Sequence, residues 1–203
     1  MNPNAVVRTP RRGLRALVGL LVALLPGGWA PPLSAGDHVA PAQFRVLDAS
    51  TRLVDGVYML DARVHFDLTP EATEALDSGV PMVVEMQIQV FEPRDLLWDR
   101  TVAALVQRHQ LEYRALADRY LVTNLNSGER SSHTRLDVAL ARLGRVRNLP
   151  MLDRRLLEKG VRYGVRMRAL LDIESLPLPL RPVAYLSSAW DLASEWHEWL
   201  LTP

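Results

Sequence analysis

Three stretches of this chain alternate apolar and polar side chains with a period of two, and that pattern restricts the fold more than any other feature. In residues 57–68 the even positions are Tyr58, Leu60, Ala62, Val64, Phe66 and Leu68, with Asp61, Arg63, His65 and Asp67 between them. Residues 82–91 set Met82, Val84, Met86, Ile88 and Val90 against Glu85, Gln87 and Gln89. Residues 161–173 set Val161, Tyr163, Val165, Met167, Ala169, Leu171 and Ile173 against Arg162, Arg166 and Arg168. Successive side chains of a strand point to opposite faces, so each stretch reads as a strand with one dry and one wet face. Wet faces are usual in antiparallel sheets and rare in parallel ones, which are covered on both sides.

Less regular segments extend the pattern. Residues 43–48 and 51–55 read as a strand that breaks or bulges around Ser50. Residues 97–107 and 109–116 read as a strand pair, and 119–126 as a further strand closed by the turn Asn126-Ser127-Gly128-Glu129. Helices are short. Thr69-Pro70-Glu71 opens one that Gly79 closes. Thr134 and Asp137 have capping-box spacing, and Leu136, Ala139, Leu140 and Leu143 then share a face up to Gly144. A turn of helix fits between Asp153 and Lys159. Leu176 to Pro182 (LPLPLRP) reads as an extended proline-rich connector. The tail supports two periods: Trp190, Ala193, Trp196 and Trp199 as a helix face, or Trp190, Leu192, Ser194 and Trp196 as a strand face. The expected fold is mainly β, an antiparallel two-sheet β-sandwich of immunoglobulin-like architecture with short helices in the connections.

The N-terminus carries a different message. Arg8, Arg11, Arg12 and Arg15 precede an apolar run from Ala16 to Leu25, which Pro26-Gly27-Gly28 breaks before small residues lead to Ala35. This is the layout of a secretory signal, and the run of about ten residues is half of the roughly twenty a membrane-spanning helix needs. The expected organisation is a cleavable signal over 1–35, a linker over 36–42 and one domain over 43–203, in the periplasm. An uncleaved N-terminal tether to the inner membrane is the alternative. Of the 24 basic residues four lie in the leader, which has no acid, leaving 20 against 23 acidic ones. That balance argues against a nucleic-acid partner. The chain has no cysteine, which excludes disulfides, thiol chemistry and cysteine zinc sites.

No constellation in the sequence proposes catalysis. The histidines His38, His65, His109, His133 and His197 lack zinc-ligand spacing, and there is no GxSxG, SxxK or glycine-rich phosphate loop. No metal or cofactor is expected. Two groups remain. Arg162, Arg166 and Arg168 share a strand face and form a candidate anion-binding patch, with carboxylates such as Asp61, Asp67 or Glu85 as the structural alternative. Trp190, Trp196 and Trp199 form a candidate partner surface, with a lid over the core as the alternative.

The segment Leu176-Pro-Leu-Pro-Leu-Arg-Pro-Val-Ala-Tyr-Leu186, followed by Trp190, Trp196 and Trp199, resembles the C-terminal signature of an exported proteobacterial family, domain of unknown function 4390. Gln107-Arg108-His109, the Asn124 to Gly128 turn, Ala139-Leu140 with Leu143-Gly144, and Tyr163 with Arg166, Arg168 and Leu171-Asp172 fit the same pattern. The resemblance implies no activity and transfers no catalytic residue. It implies an envelope-signalling context, because genes of this family often neighbour a membrane sensor kinase. The expected function is a non-enzymatic envelope module that binds a protein, that kinase among them, or an anionic envelope component. A small envelope hydrolase and a structural envelope factor are the alternatives.

Overall fold

The computed structural model describes residues 43–94 and 98–201. The stretches expected to be the signal (1–35) and the linker (36–42), and the last two residues, lie outside them. Among the described residues, nine strands form two antiparallel sheets. The smaller sheet has the order β1-β2-β7, with β1 at Phe44–Val54, β2 at Val57–Phe66 and β7 at Arg145–Asp153. The larger has the order β6-β5-β4-β3-β8-β9. Here β3 is Met82–Glu92, β4 Arg100–Arg114, β5 Arg119–Asn124, β6 Arg130–His133, β8 Gly164–Leu171 and β9 His197–Leu200. The expected sandwich is therefore present. Its likeness to immunoglobulin domains is one of architecture: the four consecutive strands β3 to β6 run as a meander, unlike the strand order of antibody domains.

The alternating residues do what their spacing implies. Leu60, Phe66, Met86, Ile88, Val90, Val165, Met167 and Ala169 are all buried in one core between the sheets. Phe44 and Phe66 meet edge to face at 4.7 Å across the β1–β2 pair, a geometry that the aromatic quadrupole favours. Asp55-Gly56, both at positive φ, make the two-residue turn between β1 and β2. This dipeptide suits such hairpins because its backbone twist matches that of the strands.

Helix α1 (Pro70–Asp77) begins as expected: the Thr69 hydroxyl accepts from the Ala72 N–H at 3.1 Å, and Gly79 lies past the end at φ 87°. Helix α2 (Leu136–Leu143) buries Ala139 and Leu143 but starts one residue later than the Thr134–Asp137 spacing predicts. Its cap position is Arg135, whose side chain pairs with Asp137 at 2.9 Å, so the acid is spent on a neighbouring guanidinium.

Several expectations are corrected. Residues 97–107 and 109–116 are not a pair: β4 is one strand, running opposite β3 from Met82↔Leu111 to Glu92↔Arg100. No Gly, Pro or Asn stands between Val106 and Gln110 to turn the chain. The irregularity in β1 falls between Val46 and Asp48, with Leu47 left exposed, and Ser50 pairs normally with Asp61. The proline-rich connector is folded. The Leu180 N–H donates to Pro177 O at 2.9 Å, and helix α3 (Arg181–Leu186) follows with Pro182 in its first turn, where a missing N–H costs nothing. Of the two periods open to the tail, the strand period is the one realised, with Trp190, Leu192 and Ser194 buried. After a 3₁₀ turn at Ser188–Trp190, Ala193 bridges Leu170 and β9 pairs with β8. Ser194 stitches it down, accepting from the Ala169 N–H at 2.9 Å.

Candidate functional site

The arginines predicted to share a face do not all do so. Arg162 precedes β8 and is exposed. Arg166 and Arg168 lie on the outer face of the large sheet. Their partners are amides, not Asp61, Asp67 or Glu85: Arg166 Nε donates to Gln89 Oε1 at 2.8 Å and Arg168 Nε to Gln87 Oε1 at 2.9 Å. The two guanidiniums stack on Trp196, at 5.1 and 4.7 Å from the ring centroid, and Arg166 also covers Phe91 at 5.1 Å. Asp99 and Glu198 stand 3.9 and 4.0 Å from Arg166. These contacts hold both arginines flat against the sheet.

The tryptophans also separate. Trp190 is buried, which is the lid role. Trp199 packs against the core, and its Nε1 donates to Thr51 Oγ1 at 3.3 Å, tying β9 to β1. Trp196 lies beneath the two arginines. Among the described residues the most exposed tryptophan is Trp98, at 93%, which no periodicity singled out.

A second arrangement combines residues far apart in the chain. Three strands cannot cover six, and a cleft of about 380 Å³ lies between the sheets where β7 faces β4, β5 and β6. His109 and Gln107 come from β4, Asn124 from β5, and Arg130 from β6. Arg142 reaches it from the end of α2, and Arg145 and Arg147 from β7. Glu129, the one carboxylate in the lining, is paired with Arg142 at 2.8 Å. Arg130, Arg145 and Arg147 have no carboxylate within 4.0 Å among the described residues. Four guanidiniums against one carboxylate leave three positive charges on a confined surface, which concentrates anions.

His109 is a half-buried titratable group of this cleft. Its Nδ1 is sealed from solvent without a hydrogen-bond partner. A proton there would be an unsatisfied buried donor, so the neutral ring carries its proton on Nε2. Burial, and then the charge of Arg142, lower the histidine pKa, with Glu129 opposing weakly. The ring is neutral at pH 7 and adds no charge to the arginines.

On the outer face, Arg108 donates to Asp172 and, at 3.0 Å, to the Ser175 hydroxyl. Its Nε lies 3.0 Å from Glu85 but out of line for a hydrogen bond, so that contact is electrostatic. Burial alone would raise the Asp172 pKa. The bonds from Ser175 and Arg108 outweigh it and hold the carboxyl below its ordinary value.

Among the described residues no group of three or more His, Asp or Glu side chains is placed to hold a metal ion, and no helix is long and apolar enough to cross a membrane. The model of the family described as a domain of unknown function (DUF4390) matches residues 42–200. The chain belongs to the DUF4390 family. No curated protein and no solved structure matches it significantly. The match covers every strand of the DUF4390 domain and both sides of the inter-sheet cleft. The arginines of that cleft come from three elements, β6, α2 and β7, and only Arg145 and Arg147 share a strand. Only the tertiary structure brings them together.

Proposed function

We propose that this DUF4390 domain is an exported, non-enzymatic binding module of the cell envelope, and that it holds an anionic group of an envelope component in the inter-sheet cleft. One observation carries the reading: Arg130, Arg145 and Arg147 line a cleft of about 380 Å³ without carboxylate partners. Guanidinium forks match phosphate and carboxylate bidentately and remain charged at any physiological pH. The volume lies within the range of small-ligand clefts. The signal-like N-terminus supports export, and the absence of cysteine suits a domain that folds on its core alone.

The test is titration calorimetry of the secreted chain with pyrophosphate and with citrate, which present the two anion chemistries. At least one binds, and R130Q/R145Q/R147Q weakens it tenfold or more while circular dichroism stays unchanged. Equal affinity in the triple variant refutes the site. Mass spectrometry of the protein recovered from the periplasm should find its N-terminus near Gly36, and retention of Met1 refutes cleavage.

A further inference from the structure

A larger cleft, of about 1070 Å³, opens at the end of the sandwich that carries the β1–β2 turn. Its walls are the end of β7, the loop over residues 154–163 and the end of β9. The lining includes the buried rings of Tyr58 and Tyr163 together with Leu157, Val161 and Leu200. The Tyr163 hydroxyl accepts from the Glu158 N–H at 3.1 Å, so the polar end of that ring is satisfied and the rest is apolar surface. Leu200 is 71% exposed although it lines a concave wall, and Leu201 beside it is buried. An exposed leucine inside a cleft is surface that a bound hydrocarbon would cover favourably.

The rim selects charge. Arg155 closes on Asp153 at 2.7 Å, and its side-chain and backbone hydrogen bonds hold that carboxyl down to about 2, so the two charges cancel. Glu158 stands 3.7 Å from Arg100, which lies outside the lining and is bound to Glu92 at 2.6 Å, so its charge stays on the rim. Arg154, Lys159 and Arg162 have no carboxylate within 4.0 Å among the described residues, and Asp55 is the other acid of the lining, without a cation at that distance. Three cations against two carboxylates therefore border an apolar interior, a net positive rim. The lone lysine of the chain and the arginine that left the outer sheet face both stand here.

We propose that this cleft binds an anionic amphiphile, a molecule with one hydrocarbon chain and a carboxylate or phosphate head group. The chain lies against Tyr58, Tyr163 and Leu200, and the head group meets Arg154, Lys159 and Arg162. The site shares no residue with the inter-sheet cleft.

The secreted chain is titrated with laurate below its micelle concentration, with dodecyl maltoside as the neutral probe, and with vesicles of phosphatidylglycerol or phosphatidylcholine. Laurate binds at least tenfold more tightly than the maltoside. R154E/K159E/R162E loses at least tenfold for laurate and leaves the maltoside unchanged. L200S weakens both, and R130Q/R145Q/R147Q binds laurate normally, which separates this proposal from the anion cleft. Binding to phosphatidylglycerol vesicles alone among the two assigns the head group to a membrane lipid; laurate binding without vesicle binding assigns it to a soluble amphiphile. Equal affinity for laurate and maltoside in the unsubstituted chain overturns the proposal, and that comparison needs no variant to fold.

Discussion

Gly144 has two physical roles open to it, and replacing it with alanine separates them. In the sequence it reads as the residue that ends α2, a position where glycine is favoured for its left-handed backbone. In the structure its φ is −74° and its ψ 0°, which alanine adopts without strain. If ending the helix were its only role, Gly144→Ala would stabilise the protein by about 0.4–1 kcal/mol, by restricting the unfolded chain. The packing argues the other way. A Cβ at this position would stand 2.0 Å from the Val64 carbonyl oxygen and 3.3 Å from the Phe66 ring. Real contacts do not fall below 3.0 Å, so β2 and the end of α2 must separate by about 1 Å. The Val64 N–H donates to Gly144 O at 2.8 Å, and that bond stretches with them. Overpacking costs about 1–3 kcal/mol and the bond about 1 kcal/mol, for a net loss of about 2–3 kcal/mol after the entropic gain. In a domain of this size that lowers the melting midpoint by about 5–10 °C. Gly79→Ala is the control: φ is 87° and nothing lies within 4 Å, so only the backbone term of about 1 kcal/mol remains. Thermal and urea unfolding of both variants measure this, and a Gly144→Ala protein as stable as the unsubstituted one refutes the close-approach argument.

Three further outcomes follow from the same contacts. Burial lowers the His109 pKa below the value near 6.5 of an unfolded histidine, so the unfolded state takes up its proton first as the pH falls; stability should drop as the pH falls through that value, and His109→Gln should flatten that slope in urea titrations. Asp172→Asn should cost about 1–2 kcal/mol at pH 7, a half-exposed pair being worth less than a buried one. Because the native carboxyl is held below its ordinary range, the gap between variant and parent should close as the pH falls past that range. Thr69→Ala should cost about 1 kcal/mol by removing the cap of α1, and should speed hydrogen exchange at the 3₁₀ turn before the tail, since the Thr69 hydroxyl also donates to Ala189 O at 2.9 Å.

What could be read in the sequence was what repeats with a short period. The core faces of β2, β3 and β8 follow from alternation, and the start of α1 from a hydroxyl beside a proline. The strand reading over 51–55 runs through Asp55 and misses the Asp55-Gly56 turn, although the dipeptide between two apolar runs is a hairpin signal. Where local signals compete, period alone misleads. Arg162 keeps the parity of Arg166 and Arg168, yet the strand begins only at Gly164, whose missing side chain admits the Phe91 ring: a Cβ there would lie 2.5 Å from it. The six-residue helix α3 was hidden because prolines suit extended chain and first helical turns alike. The arginine-lined cleft was not legible at all. Its arginines come from β6, α2 and β7, and only the difference in width between the two sheets leaves them facing a common space.

That difference in width also raises a competing account of the same arginines. Strand β7 is an edge of the small sheet, and charged side chains on an edge prevent another chain from pairing there. Two register shifts along β2, Asn148 at φ 51° and Pro150 already interrupt its ladder, so the edge is guarded without Arg145 and Arg147. Edge protection gives no reason for Arg142, which comes from a helix, although β6 with Arg130 is itself the edge of the larger sheet. The two accounts part on one measurement. If the arginines only guard the edge, R145Q/R147Q associates as its concentration rises, and pyrophosphate and citrate titrate it as they do the parent. If they hold an anion, light scattering finds the variant in the same state as the parent over the same range while the calorimetric signal falls. A variant that both associates and binds as before would assign Arg145 and Arg147 to the guarding of the edge.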